Sequence, residues 1–160
     1  MNIFVLHKNP RKCAKMHCDK HVVKMILETA QILSSAIYIN SKIPFAELYK
    51  PTHLKHPCVL WAAESERNFN WLAKLGLELC KEYNHRYGKI HKSKSIIDKS
   101  RELIHFIGYP YTFFKPPFVQ AMPEKYKNKN VVKAYRDYYN GEKLHFCKWT
   151  NREIPKWTRK

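Results

Sequence analysis

The sequence predicts an all-α fold: one compact domain of about three main helices, with an extended N-terminal arm and ordered aromatic loops. Apolar residues recur at spacings of three and four over long stretches, as the buried side of a helix requires. Only four Gly and nine Pro punctuate the chain. Hydrophobic residues make up 44% of the chain, enough at 160 residues to close a single core.

Residues 2–6 (Asn-Ile-Phe-Val-Leu) form a short apolar run, read as a small strand or an extended arm pinned in the core. Pro10 suits a first helical turn. From about residue 11 to 39 the pattern is helical, with Val23, Ile26, Ala30, Leu33 and Ile37 as the buried stripe. Residues 40–56 connect. Pro57 opens a second helix to about Tyr83, with Leu60, Phe69, Leu72, Leu75, Leu79 and Tyr83 on its apolar side and Gly88 past its end. Ser93 is expected to cap a third helix through Ile107, stopped by Gly108. Residues 109–123, with Tyr109, Tyr111, Phe113, Phe114 and Phe118, read as a packed loop. Asn130 caps a short last helix to about Tyr139, before Asn140-Gly141.

Thirty Lys plus Arg against thirteen Asp plus Glu leave a formal charge of +17. An excess of this size repels itself and is expected to serve a polyanionic partner, DNA first. No apolar run approaches the roughly 18 residues of a membrane span. Residues 1–6 are too short for a signal sequence, so a soluble, intracellular protein with no membrane partner is expected. The five cysteines are odd in number and lack C-x-x-C spacing. They read as buried apolar residues in a reducing compartment, not as disulfides or a zinc site.

The other side of the first helix carries His17, His21, Lys24, Glu28 and Gln31 at steps of four, three, four and three, flanked by Asp19 and Lys20. At 3.6 residues per turn they make one polar row of mixed titratable groups, the raw material of acid–base chemistry. His17 and His21 at i and i+4 also suit a metal, but no H-E-x-x-H accompanies them, and no metal or other cofactor is expected. The segment Thr52-His53-Leu54-Lys55-His56 leads into the second helix, whose N-terminus favours phosphate. A ligand-sized cleft is expected between this turn and the polar row. Near the end, aromatic and basic residues interleave at Tyr135-Arg136, Tyr139 and Lys143, a pattern that holds backbone phosphates and stacks on bases.

Three blocks in this order resemble the small pyrimidine-dimer DNA glycosylase/AP lyases of the phage endonuclease V type and related uncharacterised phage and viral proteins. They are the N-terminus running into a helix with Glu28, then Pro51-Thr52 and His56 leading to Trp61, Phe69, Glu82 and Arg86-Tyr87, then residues 135–143. The resemblance implies a compact three-helix fold with its N-terminus threaded between helices. It also implies an N-terminal amine that attacks C1′ of a damaged pyrimidine nucleotide through an imine, assisted by a glutamate. In the family the amine sits on a small residue exposed by Met removal, and the glutamate lies about a turn earlier. Here Asn2 is bulky enough that Met1 is expected to stay and supply the amine, unless Lys20 or Lys24 replaces it. The catalytic set implied is Met1, Glu28, His21 and Lys24. The nucleic-acid contacts implied are His17, Lys20, Thr52, His53, Lys55, His56, Arg86, Tyr135, Arg136, Tyr139 and Lys143. The partner is DNA, double-stranded and damaged or modified, met by a monomer. Three other classes remain open: a non-catalytic viral nucleic-acid-binding protein, an enzyme acting on a small phosphorylated nucleotide in a His/Lys pocket, and a His-metal nuclease.

Overall fold

The computed structural model describes residues 1–110, 112 and 116–159. Tyr111, Phe113 and Phe114 of the aromatic loop lie outside the described residues. The fold is all-α, with no strand among the described residues. Its helices are α1 (Pro10–Met16), α2 (Asp19–Ser41), α3 (Pro57–Glu64), α4 (Glu66–Tyr87), α5 (Lys94–Leu103) and α6 (Val131–Glu142).

Two of the expected long helices are each broken in two. The first stops at Met16 because His17 and Cys18 take extended backbone, ψ 136° and 163°. The break frees carbonyls, and Arg86 of α4 satisfies two of them: Nη1 donates to His17 O at 2.9 Å and Nη2 to Lys15 O at 3.2 Å. That long-range partner is what the local pattern does not contain. The second break falls at extended Ser65, whose Oγ accepts from Asn68 N at 3.1 Å and starts α4. Asn68 Nδ2 in turn donates to Trp61 O at 2.9 Å, tying α4 back to α3.

α2 is the core helix and packs on α3, α4 and α5. Ile26, Ala30, Leu33 and Ile37 are buried as expected, but Val23 is 40% exposed, and Val22, Met25, Ile32 and Ala36 complete the buried surface. By length and hydropathy α2 is the one helix among the described residues that qualifies to cross a bilayer, although the sequence shows no such unbroken apolar run. Two-thirds of that stretch (67%) is buried inside the fold, the behaviour of a core helix. Gly76 of α4 lets the helices meet closely: a Cβ there would lie 2.7 Å from Thr29 Cγ2 and 2.9 Å from Ile97 Cδ1. Leu60, expected on the apolar side of α3, is 50% exposed.

α5 ends at Leu103 and tightens into a 3₁₀ turn, Ile104–Phe106. Ser93 does not cap it, because its hydroxyl bonds to the Tyr49 hydroxyl at 2.9 Å. α6 is capped by Asn130, which accepts from Val132 N and Lys133 N, and runs three residues past Tyr139. Gly141 stays helical inside it, where a Cβ would collide with the Tyr126 hydroxyl.

The N-terminal segment is an arm, not a strand. Ile3, Phe4, Val5 and Leu6 are buried, and Phe4 has the unusual φ of 33°. The Phe4 ring lies against His21 of α2 and against Tyr135, Tyr138 and Tyr139 of α6. Arg136 Nε donates to Leu6 O at 3.0 Å and Trp71 Nε1 to Lys8 O at 2.8 Å, so α6 and α4 both grip the arm.

Candidate active site

The arm delivers the start of the chain to Glu28. The backbone N–H of Asn2 donates to Glu28 Oε2 at 2.9 Å, and Lys24 Nζ lies 3.5 Å from Glu28 Oε1. Glu28 is 7% exposed, so one donor on each oxygen holds the carboxylate in a fixed orientation. Asn2 is itself fixed: Nδ2 donates to Ala121 O at 2.7 Å, and Oδ1 accepts from Ile3 N at 2.8 Å. The Met1 amine is therefore at most one residue from the carboxylate. His56 responds to the same charges. Its pKa is lowered by burial, then by the chain amine and by His53, while Glu28 pulls it up.

Around this pair lies a small open depression of about 170 Å³, lined by Met1, Asn2, Phe4, His21, Lys24, Met25, Glu28, Tyr138 and Lys143. It falls short of the ~300 Å³ at which small-molecule pockets begin. The expected cleft is thus smaller and differently walled: α6, not the His53–His56 turn, stands opposite α2. His53–His56 lies to one side, with Thr52 N donating to Ser35 Oγ of α2 at 3.0 Å. A larger cavity of about 640 Å³, lined mainly by α4 and α5, shares no residue with this depression.

His21 is 6% exposed and stacks on Phe4 at 4.4 Å, while its Nδ1 meets the Tyr139 hydroxyl. It can position, but its ring is already packed from two sides. Lys20 and Lys143 keep their ammonium groups near aromatic faces, 5.0 Å from the Phe146 and Tyr138 centroids. His53 and Lys55 are exposed, and Thr52 and His56 half-buried. His56 Nδ1 accepts from Cys58 N at 3.1 Å and caps α3.

Four expected nucleic-acid contacts are withdrawn on burial. His17 is fully buried on the far side of the helix break, with Nδ1 at 2.9 Å from Cys13 O, so the polar row begins at His21. The break also removes the i, i+4 histidine pair. Among the described residues no group of three His, Cys, Asp or Glu is placed to hold a metal. Arg86 is buried and committed to Asp19, Glu82 and two carbonyls. Tyr135 and Tyr139 have no exposed surface, and the Tyr135 hydroxyl donates to Val119 O. Arg136 is half-buried, holding the arm at Leu6 O with its guanidinium 5.6 Å from the Trp157 ring. Conversely, Asn2, Phe4 and Tyr138 line the site without having been expected there. The apolar run 2–6 was the available signal for the first two, and the Tyr135-to-Tyr139 cluster for the third.

A family model described as pyrimidine dimer DNA glycosylase matches residues 1–96. No curated protein and no solved structure matches the chain. The matched span holds the arm, Glu28 and the His53–His56 turn, and it covers well over half of the sequence: the chain belongs to the pyrimidine dimer DNA glycosylase family.

Proposed function

We propose that this protein is a DNA N-glycosylase with AP lyase activity, acting as a single-domain monomer on damaged or modified double-stranded DNA. The observation that carries this reading is the hydrogen bond from Asn2 N to the buried Glu28 carboxylate, with Met1 and Glu28 both lining one open depression. The Met1 amine attacks C1′ and the base leaves, giving an imine with the opened sugar. Glu28 faces the cationic intermediate and takes the 2′ proton, so the 3′ C–O bond breaks by β-elimination. Lys24 orients Glu28, and His21 supports the arm through Phe4. Lys20, Lys143, His53 and Lys55 offer cations to the backbone on either side. An open depression of this size suits a polymer that lies across it better than a mononucleotide sealed within it. Reaching C1′ requires the duplex to be kinked or a nucleotide flipped, and a charge of +17 offsets part of that cost.

Borohydride trapping tests the proposal. Duplexes carrying pyrimidine dimers, abasic sites or modified pyrimidines are incubated with the protein and borohydride, and the adduct is mapped by peptide mass. Attachment at the Met1 amine is expected. In chains whose Met1 has been removed, the nitrogen already bonded to Glu28 becomes the free amine, and attachment moves to Asn2. No covalent adduct with any duplex defeats the lyase reading and leaves a DNA-binding protein. Attachment at Lys20 or Lys24 moves the nucleophile.

A further inference from the structure

The cavity of about 640 Å³ along α4 and α5 is a groove whose two ends differ in chemistry. Residues 88–93 reverse the chain, so the two helices run antiparallel. They meet where a Cβ on Gly76 would lie 2.9 Å from Ile97 Cδ1. From that contact α4 leads back to Lys74 and α5 leads on to Arg101, so these two cations share one end of the groove. In the other direction Cys80, Lys81 and Asn84 run beside Lys94, His91 and Ile90. From Lys74 to Asn84 the helical rise gives a length of about 15 Å.

At the first end Lys74 and Arg101 are exposed and make no ion pair among the described residues. Midway, the two acids of the rim are cancelled by lysines of their own helices. Lys81 Nζ lies 2.6 Å from Glu78 Oε1, and Lys94 Nζ 2.6 Å from Asp98 Oδ2. Half-buried Leu77 and buried Cys80 contribute apolar surface to the groove. Burial pushes the Cys80 thiol up to about 12, so it stays uncharged and serves as a small apolar surface. The second end carries Ile90, 79% exposed, and His91. The His91 ring stands edge-on to Tyr83 at 5.1 Å, and its Nδ1 accepts from Ser93 N at 3.1 Å. Burial lowers its pKa, so this end is uncharged at neutral pH.

We propose that this groove binds one free acyl carboxylate, with its head at Lys74 and Arg101 and its chain laid over Leu77 and Cys80 to Ile90. A volume of about 640 Å³ falls within the range of ligand sites, ~300–1,000 Å³. The chain gains by leaving water along its whole length, and the head by the two unpaired cations. A nucleic-acid strand, with a phosphate on every nucleotide, would meet cancelled charges between the ends. The groove shares no residue with the Glu28 depression, so the proposal does not rest on the glycosylase reading.

Isothermal titration of the whole protein with decanoate, below its micelle concentration, tests this against decanol and decyltrimethylammonium, which carry the same chain. One decanoate per chain is expected, bound more tightly than either analogue, with hydrogen-exchange protection confined to α4 and α5. Lys74→Ala with Arg101→Ala should weaken decanoate roughly tenfold and leave decanol unchanged. Ile90→Asp should weaken both. All three side chains are exposed, so these variants keep the fold. Lys12→Ala with Lys156→Ala removes the same charge elsewhere and should change nothing. Several decanoates per chain, equal affinity for decanol, protection outside α4 and α5, or equal weakening by the two double variants each overturns the proposal. Displacement of decanoate by an undamaged duplex assigns the groove to DNA. A dimer in sedimentation that Ile90→Asp dissolves and decanoate does not assigns it to a second copy of the chain. Either result also overturns the proposal.

Discussion

Two charged clusters flank α2, nine residues and roughly 13 Å apart along its axis. At its start, Arg86 bonds to Asp19 at 2.9 Å, to Glu82 and to two carbonyls, and Glu82 also takes Arg152 at 2.8 Å. Asp19 accepts from Thr150 as well. All five N–H groups of the Arg86 guanidinium are engaged, and the Arg86 side chain has no exposed surface. Further along, Glu28 has one backbone donor and one lysine that is 66% exposed, and its depression is open. Both clusters pair carboxylates with basic side chains. Saturation separates them: the first holds a broken helix together, and the second retains acceptor sites for something else.

Substitutions on the two sides should therefore fail in opposite ways. The largest effect is expected from Glu28→Gln, which keeps an acceptor for Asn2 N but not a base. Single-turnover cleavage should fall by roughly 10²- to 10⁴-fold, with little change in melting temperature. Full activity in that variant would reject Glu28 as the acid–base group. Arg86→Ala should do the reverse: removing one member of a buried ionic cluster costs about 3–5 kcal/mol, read by urea unfolding, with cleavage per folded molecule unchanged. An Arg86 variant as stable as the parent would show that the cluster is not what holds the break.

A smaller effect comes from His17, beside that cluster, whose Nε2 is buried with no partner. Burial lowers its pKa in the folded protein to about 3, against an ordinary value of 6.5. Between these values the unfolded chain binds one more proton, so folding is weakened as pH falls through 6.5, by about 1.4 kcal/mol per unit at most. Unfolding at pH 7.5 and 5.0 should show this loss, and His17→Asn should reduce it; an unchanged pH dependence in the variant would assign the effect elsewhere. The smallest change belongs to Lys143 at the open cluster. Lys143→Ala should lower the slope of log affinity against log salt by about one, without altering which duplexes are bound. An unaltered slope would remove Lys143 from the backbone contacts.

The helical content was legible in the sequence because periodicity is local. Ile26, Ala30, Leu33 and Ile37 mark the core side of α2 without reference to anything beyond their own helix. Glu28 stood out as a candidate too, as a carboxylate in a row too mixed for an ordinary solvated face. The break at His17–Cys18 was not legible, since the group that stabilises it, Arg86, lies 69 residues away. The same blindness sent Arg86, Tyr135 and Tyr139 to the DNA: a basic or aromatic residue reads alike whether it faces a phosphate or a buried carbonyl. Asn2 was read only for its bulk beside Met1, because its bond to Glu28 comes from a backbone nitrogen, which every non-proline residue has.

The grip of α6 on the arm sets an order of assembly. Asn2 Nδ2 meets a carbonyl 119 residues later, and Leu6 O meets a guanidinium 130 residues later. A nascent chain emerges with its arm first and α6 near the end, so Ile3, Phe4, Val5 and Leu6 stay without their final cover through most of synthesis. α1 to α5 can pack on one another meanwhile, but Phe4 and Leu6 gain their contacts with Tyr135, Tyr138, Tyr139 and Arg136 only once α6 has been made. Contacts this distant in sequence carry a large loop-closure cost, so docking of the arm under α6 is expected to come late in folding.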